Sequence, residues 1–347
     1  MNMENTTVKK LSDLGEFGLI KHITENIKLK HNSTVKGVGD DAAVLDYKDK
    51  KTLISTDMLT EGIHFDLMYT PLIHLGYKAV VSNLSDICAM NGTPRQITVS
   101  LAMDKRISLE MVDELYEGIH AACDKYNIDL IGGDTTASLT GLCISITVIG
   151  EANNEDITYR NTAKENDLLC VTGNLGAAYM GLQLLEREKK IFEENPTIQP
   201  DLDGHDYIVG RQLKPEPRID IVNALKEKGI LPNAMIDISD GLASEVMHLC
   251  EDSDMGCAIY EDKIPVDYET HKMAEEFNIN TTIAALNGGE DYELLFTVPL
   301  DKHEEITTIA DVKVIGHICK KEQGRHLVTR DNNHIELKAQ GWINFTE

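Results

Sequence analysis

Short apolar, β-branched runs alternate along this chain with longer stretches whose apolar residues recur at helical spacing. Strand-like runs occupy 35–45, 52–57, 96–103 and 142–150. Two helical patterns lie among them. In PLIHLGYKAVVSNLSDICAM, residues 71–90, Leu75, Val80 and Leu84 keep that period. In SLEMVDELYEGIHAACDKY, residues 108–126, Leu109, Val112, Tyr116, Ile119 and Cys123 share one face, and Ser108 is placed to cap the N-terminus. The run DLI before Gly132 predicts another strand. The polar segment at 153–169 then marks a boundary. Beyond it a strand is expected in DLLCVTG, a helix after Gly176, and a polar stretch over 188–207 that contains EENPTIQPDLDG, an insertion-like loop. Helices follow near 216–229 and 241–252, with strands at 257–260, 291–298 and 312–319. This alternation predicts an α/β (α+β) protein of two domains, residues 1–152 and 153–347.

Aspartates recur where the apolar runs end. They stand in GVGDDAAV (Asp40, Asp41), LISTDMLTEGIHF (Asp57), NLSDICAMNG (Asp86), DLIGGDTT (Asp134) and IDISDGLASE (Asp237, Asp240). Any one of these is an ordinary turn former or helix cap. Their joint occurrence is less ordinary, because a buried ionised carboxylate is costly unless paired or bound to metal. Asp237 and Asp240 stand three apart at a helix entry, and Ser55, Thr56 and Asp57 end a strand with several oxygen donors. Oxygen-only ligands suit Mg²⁺. The pattern therefore predicts one shared cluster of hard divalent cations, and phosphate chemistry with it. The usual nucleotide signatures, a G-x-x-x-x-G-K-[ST] loop or the protein-kinase motifs, are absent.

Composition narrows the partners. The 347 residues are 42% hydrophobic, ample for buried cores, and carry a formal net charge of −25. Such a charge disfavours nucleic acid and acidic membrane surfaces. Seven scattered cysteines, odd in number and without a C-x-x-C pair, argue against a disulfide framework or a zinc site. The N-terminus has no apolar signal core, and no apolar run approaches the ~18 residues of a membrane span. A cytoplasmic location is expected.

Nine segments, in order, resemble the thiamine-monophosphate kinases, and the resemblance covers about residues 14 to 344. They are LGEFGLI, GVGDDAAV, ISTDMLTEGIHF, NLSDICAMNGTP, LIGGDTT, VTGNLGAA, KPEPRI, IDISDGL and NGGEDYELLFTV. The resemblance implies transfer of the ATP γ-phosphate to thiamine phosphate, giving thiamine diphosphate and ADP. It implies a two-domain fold like that of aminoimidazole ribonucleotide synthetase, with a homodimer formed through the N-terminal ATP- and Mg²⁺-binding domain and a C-terminal domain completing the substrate site. Carried over by motif, Asp41, Ser55, Thr56, Asp57, Asp86, Asp134, Asp237 and Asp240 would hold several Mg²⁺ ions, with room for K⁺. Asp57, Asp86 and Asp134 would be catalytic. Tyr116, Gly133, Asp134, Arg160 and Ser239 would contact ATP, and His64, Glu290 and Trp342 thiamine phosphate. Glu290 can accept from an aminopyrimidine, and Trp342 can stack on a cationic ring.

This chain departs from the family at Asn91, where AMGA is usual, and at RNTAKEND in the linker beside Arg160. Two other readings stand beside the kinase. One is a sister ATP-using enzyme: a selenophosphate synthetase, a hydrogenase-maturation enzyme or a purine synthetase. Against these, no cysteine precedes Cys88 and the chain ends WINFTE. The other is a non-enzymatic protein that binds divalent metal.

Overall fold

The computed structural model describes residues 22–36 and 44–339. Asp40, Asp41 and Trp342 lie outside the described residues. The chain divides into two compact units. One comprises residues up to Ile87 together with Pro94–Glu151, the other Cys88–Thr93 together with the chain from Ala152 onward.

The first unit is built on a sheet ordered β3-β6-β4-β5: β3 Lys51–Thr60, β6 Cys143–Ala152, β4 Thr93–Met103 and β5 Asp129–Ala137. Strands β4 and β5 run parallel, with Val99 opposite Gly133 and Ser100 opposite Asp134. Period-2 alternation turns Val99, Leu101, Ile144, Ile146 and Val148 inward. The two helices form where their periodicity placed them, α1 at Leu72–Ala89 and α2 at Leu109–Tyr126. The Ser108 side chain caps α2 by accepting from the Met111 amide at 3.3 Å. A glycine on each helix lets the two backbones touch. A Cβ on Gly76 would lie 2.0 Å from Leu115 O, and one on Gly118 would lie 1.9 Å from Ile73 O. Short strands β1 (Thr34–Lys36) and β2 (Val44–Leu45) pair antiparallel. Buried Asp129 anchors β1 by accepting from the Thr34 hydroxyl at 2.6 Å and the His31 amide at 3.2 Å.

The second unit contains a seven-stranded sheet ordered β13-β12-β9-β11-β7-β10-β8. These strands are β7 Leu168–Thr172, β8 Ala234–Ile238, β9 Met255–Tyr260, β10 Glu293–Val298, β11 Val312–Lys320, β12 Arg325–Val328 and β13 His334–Glu336. Apolar residues cover both faces. Leu169, Val171 and Leu295 pack with Leu242, Val246 and Leu249, whereas Leu168, Cys170, Leu294 and Phe296 pack with Ile221, Val222 and Leu225. The central strands therefore read as unbroken apolar runs, as strands buried on both sides must.

Several features differ from the sequence reading. The polar stretch at 188–207 opens as helix, whereas the expected loop within it, EENPTIQPDLDG, is helical only at Glu193 and Glu194. Helix α3, Ala177–Glu194, runs through its first part, because Glu, Arg and Lys are good helix formers on a solvated face. The buried Glu188 carboxylate accepts from the Asp201 amide at 2.9 Å and ties the remaining loop back. Helix α4, Asp206–Leu213, follows, then α5 at Ile219–Glu227 and α6 at Leu242–Asp252. Helices α7, Tyr268–Glu276, and α8, Thr281–Asn287, were not predicted. Helix α7 is short and rich in charge, and α8 has only seven residues, too few to show a period. Asn91 takes a left-handed φ of 56° and donates from its side chain to Asp156 O at 2.8 Å, so the departure at this position keeps the turn. All seven cysteines are free. Among the described residues no helix is long and apolar enough to cross a membrane.

Candidate active site

In the first unit the ISTDM segment of β3 faces the helix that carries Asp86. Asn83 and Asp86 stand three apart and so share a helix face. The Asn83 Oδ1 accepts from the Asp57 amide at 3.1 Å, and Asp86 Oδ2 accepts from the Ser55 hydroxyl at 2.6 Å. Ser55, Asp57 and Asp86 are thus gathered by one strand–helix pair. Burial pushes the Asp57 carboxyl above the usual carboxylate range, against the Ser82 hydroxyl and the nearby His64, which both favour its ionised form. A desolvated carboxylate beside hydroxyl and carboxylate oxygens is a donor set that fits Mg²⁺.

Thr56 alternates away from Ser55 and Asp57, as the strand period requires. Its hydroxyl donates to Ile146 O at 3.1 Å and accepts from Thr147 at 3.1 Å. Asp134 is exposed on β5, at the opposite edge of the sheet from β3. At ~4.8 Å per strand, three spacings put these strands about 14 Å apart. Among the described residues no three His, Cys, Asp or Glu side chains converge as a ready metal cage. Among the described residues, Asp134 is thus set apart from the Asp57–Asp86 pair rather than packed with it. Gly133 is exposed, and a Cβ there would lie 1.9 Å from Val99 O, so close strand approach alone demands glycine. Tyr116 is 6% exposed and sits in the buried face of α2, as a packing residue would.

The loop after β3 aims His64. Its Nδ1 accepts from the Thr60 amide at 3.1 Å, which leaves the ring proton on Nε2. Glu61 latches this loop by accepting from the Leu142 amide and from Arg106, each at 2.9 Å.

In the second unit the IDISDG segment ends β8 and enters α6. Asp237 is buried opposite Leu294. The buried Glu245 carboxylate accepts from the Asp240 amide at 2.9 Å and fixes the Ser239–Gly241 turn. Burial pushes Glu245 up to about 7, and burial also raises Asp240, with Glu290 adding to the rise and His248 opposing it. The Glu290 amide donates to Ser239 O at 2.6 Å, so the two motif loops are stitched together. Arg160, its side chain 56% exposed, pairs through Nε with Asp252 at 2.6 Å.

Sequence reading passed over a buried charge network behind this loop. Glu293, 1% exposed, accepts from Arg211 at 2.9 Å and from Arg218 at 2.8 Å, and also from the Thr172 hydroxyl. Gly173 stands so close that a Cβ there would lie 2.1 Å from Glu293 Oε1. Arg218 and Glu293 belong to KPEPRI and NGGEDYELL, so the signal was present in motifs that were read only as whole segments.

Family models for the N-terminal and C-terminal domains of AIR synthase related proteins match residues 39–152 and 164–329. The thiamine-monophosphate kinase of Bacillus subtilis (strain 168) is 33% identical over 339 residues, 96% of this chain and 100% of its own length. Among solved structures, the thiamine-monophosphate kinase of Stenotrophomonas maltophilia K279a aligns with TM-score 0.78 at 29% identity, over 94% of this chain and 98% of its own. The structure described as AaThiL complexed with AMPPCP and TMP aligns with TM-score 0.73 at 32% identity, over 99% and 100%. On two matched domains and full-length identity above 30%, the chain belongs to the thiamine-monophosphate kinase family of the AIR synthase related proteins.

Proposed function

We propose that this chain phosphorylates thiamine phosphate with ATP, forming thiamine diphosphate and ADP by direct in-line transfer. The observation that carries this reading is the full-length likeness to the complex with AMPPCP and TMP. A phosphate oxygen of the acceptor forms the new bond to the γ-phosphorus as the bond to the β,γ-bridging oxygen breaks. The acceptor is already ionised near neutral pH, so no strong general base is required and catalysis rests on position and charge.

Asp41, Ser55, Asp57, Asp86 and Asp134 of the first unit and Asp237 and Asp240 of the second are the proposed Mg²⁺ ligands, with Thr56 limited to its backbone oxygen. Bound there, Mg²⁺ would neutralise charge on the phosphate oxygens. An ion that arrives with phosphate oxygens and water needs only one or two carboxylates at a time, which suits separate stations. Gly133, Asp134 and Ser239 are the proposed nucleotide contacts. Arg160 would exchange Asp252 for phosphate. His64, through Nε2–H, and Glu290 are the proposed contacts for thiamine phosphate, together with Trp342.

A homodimer through the first unit is part of the proposal. On edge strand β3, Ile54 is 68% exposed and Met58 58%, an apolar row that suits a second copy better than water.

The test is a mass-resolved assay of the full chain with Mg²⁺-ATP, with and without thiamine phosphate. Thiamine diphosphate formed only with both substrates supports the reading. Turnover with another phosphorylated acceptor alone would move the chain to a sister activity.

A further inference from the structure

One guanidinium ties three loops of the first unit together. Arg106, between β4 and α2, directs a single Nη2 to Glu61 Oε2 at 2.9 Å and to Asp104 Oδ2 at 2.7 Å. Its Nε donates to Asp104 Oδ2 and its amide to Asp104 Oδ1, each at 2.8 Å. Glu61 Oε2 also accepts from the Leu142 amide at 2.9 Å, in the loop between β5 and β6, and the Glu61 amide donates to Leu142 O at 3.0 Å. A Cβ on Gly141, whose φ is 100°, would lie 2.7 Å from Glu61 Oε2, so glycine leaves room for the carboxylate. Both carboxylates are mostly shielded from water, whereas the Arg106 side chain is 55% exposed. Glu61 opens the turn that carries His64. There the Gly62 amide, at a φ of 81°, donates to Phe65 O at 2.8 Å, and the His64 amide donates to Thr60 O at 3.0 Å. His64 stands close enough to Asp57 to favour its ionised form, so this turn borders the gathered oxygens.

We infer that Arg106 is a positioning residue for the acceptor: by bridging Glu61 to Asp104 it holds the 61–65 turn, and His64 with it, ready for thiamine phosphate. The inference rests on the proposed function, in which His64 meets that substrate. An exposed ion pair alone contributes little. Here the cation does more than pair, because two carboxylates that converge on one guanidinium repel each other once it is removed. The Glu61 side chain then swings to water and gives up the Leu142 amide, which leaves only backbone pairing to hold the turn. A turn that is loose in the free enzyme must be ordered as the substrate binds, and that ordering is subtracted from affinity. The proposed nucleotide contacts at Gly133, Asp134 and Ser239 lie on other segments, so the effect falls on the acceptor and spares ATP.

The experiment follows steady-state kinetics and amide hydrogen exchange in the full chain and its Arg106→Met variant, which keeps an apolar stem and removes the charge. In the variant the KM for thiamine phosphate rises about tenfold, the loss expected when a few side chains must be ordered on binding. The KM for ATP stays within about twofold. The Gly62 and His64 amides exchange faster than in the parent, while those of α2 keep their parental rates. Adding Asp104→Asn to Arg106→Met removes the repulsion and returns the KM for thiamine phosphate toward the parental value. A residue with only a packing role would lower the thermal midpoint without separating the two KM values, and Asp104→Asn would restore nothing. If Arg106→Met fails to fold, Arg106→Gln serves the same comparison. Parent turnover with both KM values unchanged in the folded variant, or unchanged exchange at Gly62 and His64, overturns this inference and leaves the proposed function standing. No parent turnover with thiamine phosphate overturns both.

Discussion

At the scale of single residues, the candidate site depends on carboxylates whose surroundings differ. Asp86 receives the Ser55 hydroxyl at 2.6 Å, a bond that an asparagine oxygen can also accept. Asp86→Asn therefore preserves the local fold and removes a charge. Activity should fall at least about a hundredfold, while the thermal midpoint moves by no more than a few degrees. Near-parental turnover in a coupled ADP assay would remove Asp86 from the catalytic set. Asp291 offers a separate test through pH. Burial pushes it up to about 7, against the opposing pull of Arg211 and the Gly176 amide. Its pKa in the unfolded chain is about 3.9. Between those values the folded form holds a proton that the unfolded chain has released, so stability falls as pH rises from about 4 to about 7 and then levels. Asp291→Asn removes this component. Across pH 5–7 its unfolding free energy should decline less steeply than the parent's, by up to about 1.4 kcal/mol per pH unit. Equal slopes in urea titrations would show that Asp291 is ionised throughout.

At the scale of elements, glycine decides how closely backbones approach. Helices α1 and α2 meet at Gly76 and Gly118, where each missing Cβ would collide with a carbonyl of the other helix. Gly118→Ala must push the helices apart, because backbone cannot yield as a flexible side-chain tip can. The expected cost is about 1–3 kcal/mol, read as an earlier thermal transition. An unchanged melt would mean that the helices separate freely. The strong elements were legible in the chain. Helix α2 announced itself through Leu109, Val112, Ile119 and its Ser108 cap, since amphipathic period and capping are local signals. Helices α7 and α8 were not legible. Helix α7 is rich in charge and α8 has only seven residues, so packing rather than periodicity fixes them.

For the whole molecule, charge and the exposed β3 row set expectations about association. A net charge of −25 keeps copies apart at long range, and salt screens that repulsion. A dimer would need an apolar contact strong enough to overcome it. Ile54→Asp places a charge in the row and should convert the species seen by light scattering from dimer to monomer, with the melt of the variant unchanged. A parent that is already monomeric at micromolar concentration would refute the N-terminal dimer.

The sequence by itself determined the alternation of strands and helices, the motif aspartates and the family, because these are carried by local order along the chain. It also marked Asp57 and Asp86 as candidates, since each stands in a recognisable segment. Only the tertiary structure decided what these residues meet. Ser55 and Asp86 are 31 positions apart yet joined at 2.6 Å. Thr56 faces away from its neighbours, Asp134 lies on the opposite sheet edge, and Tyr116 turns into the core. Glu293 was invisible as a hub because its partners Arg211 and Arg218 come from 82 and 75 positions away. A buried charge is tolerated only when folding supplies its counter-charges. Local pattern records which residues are present, and contact between distant segments records which of them act together.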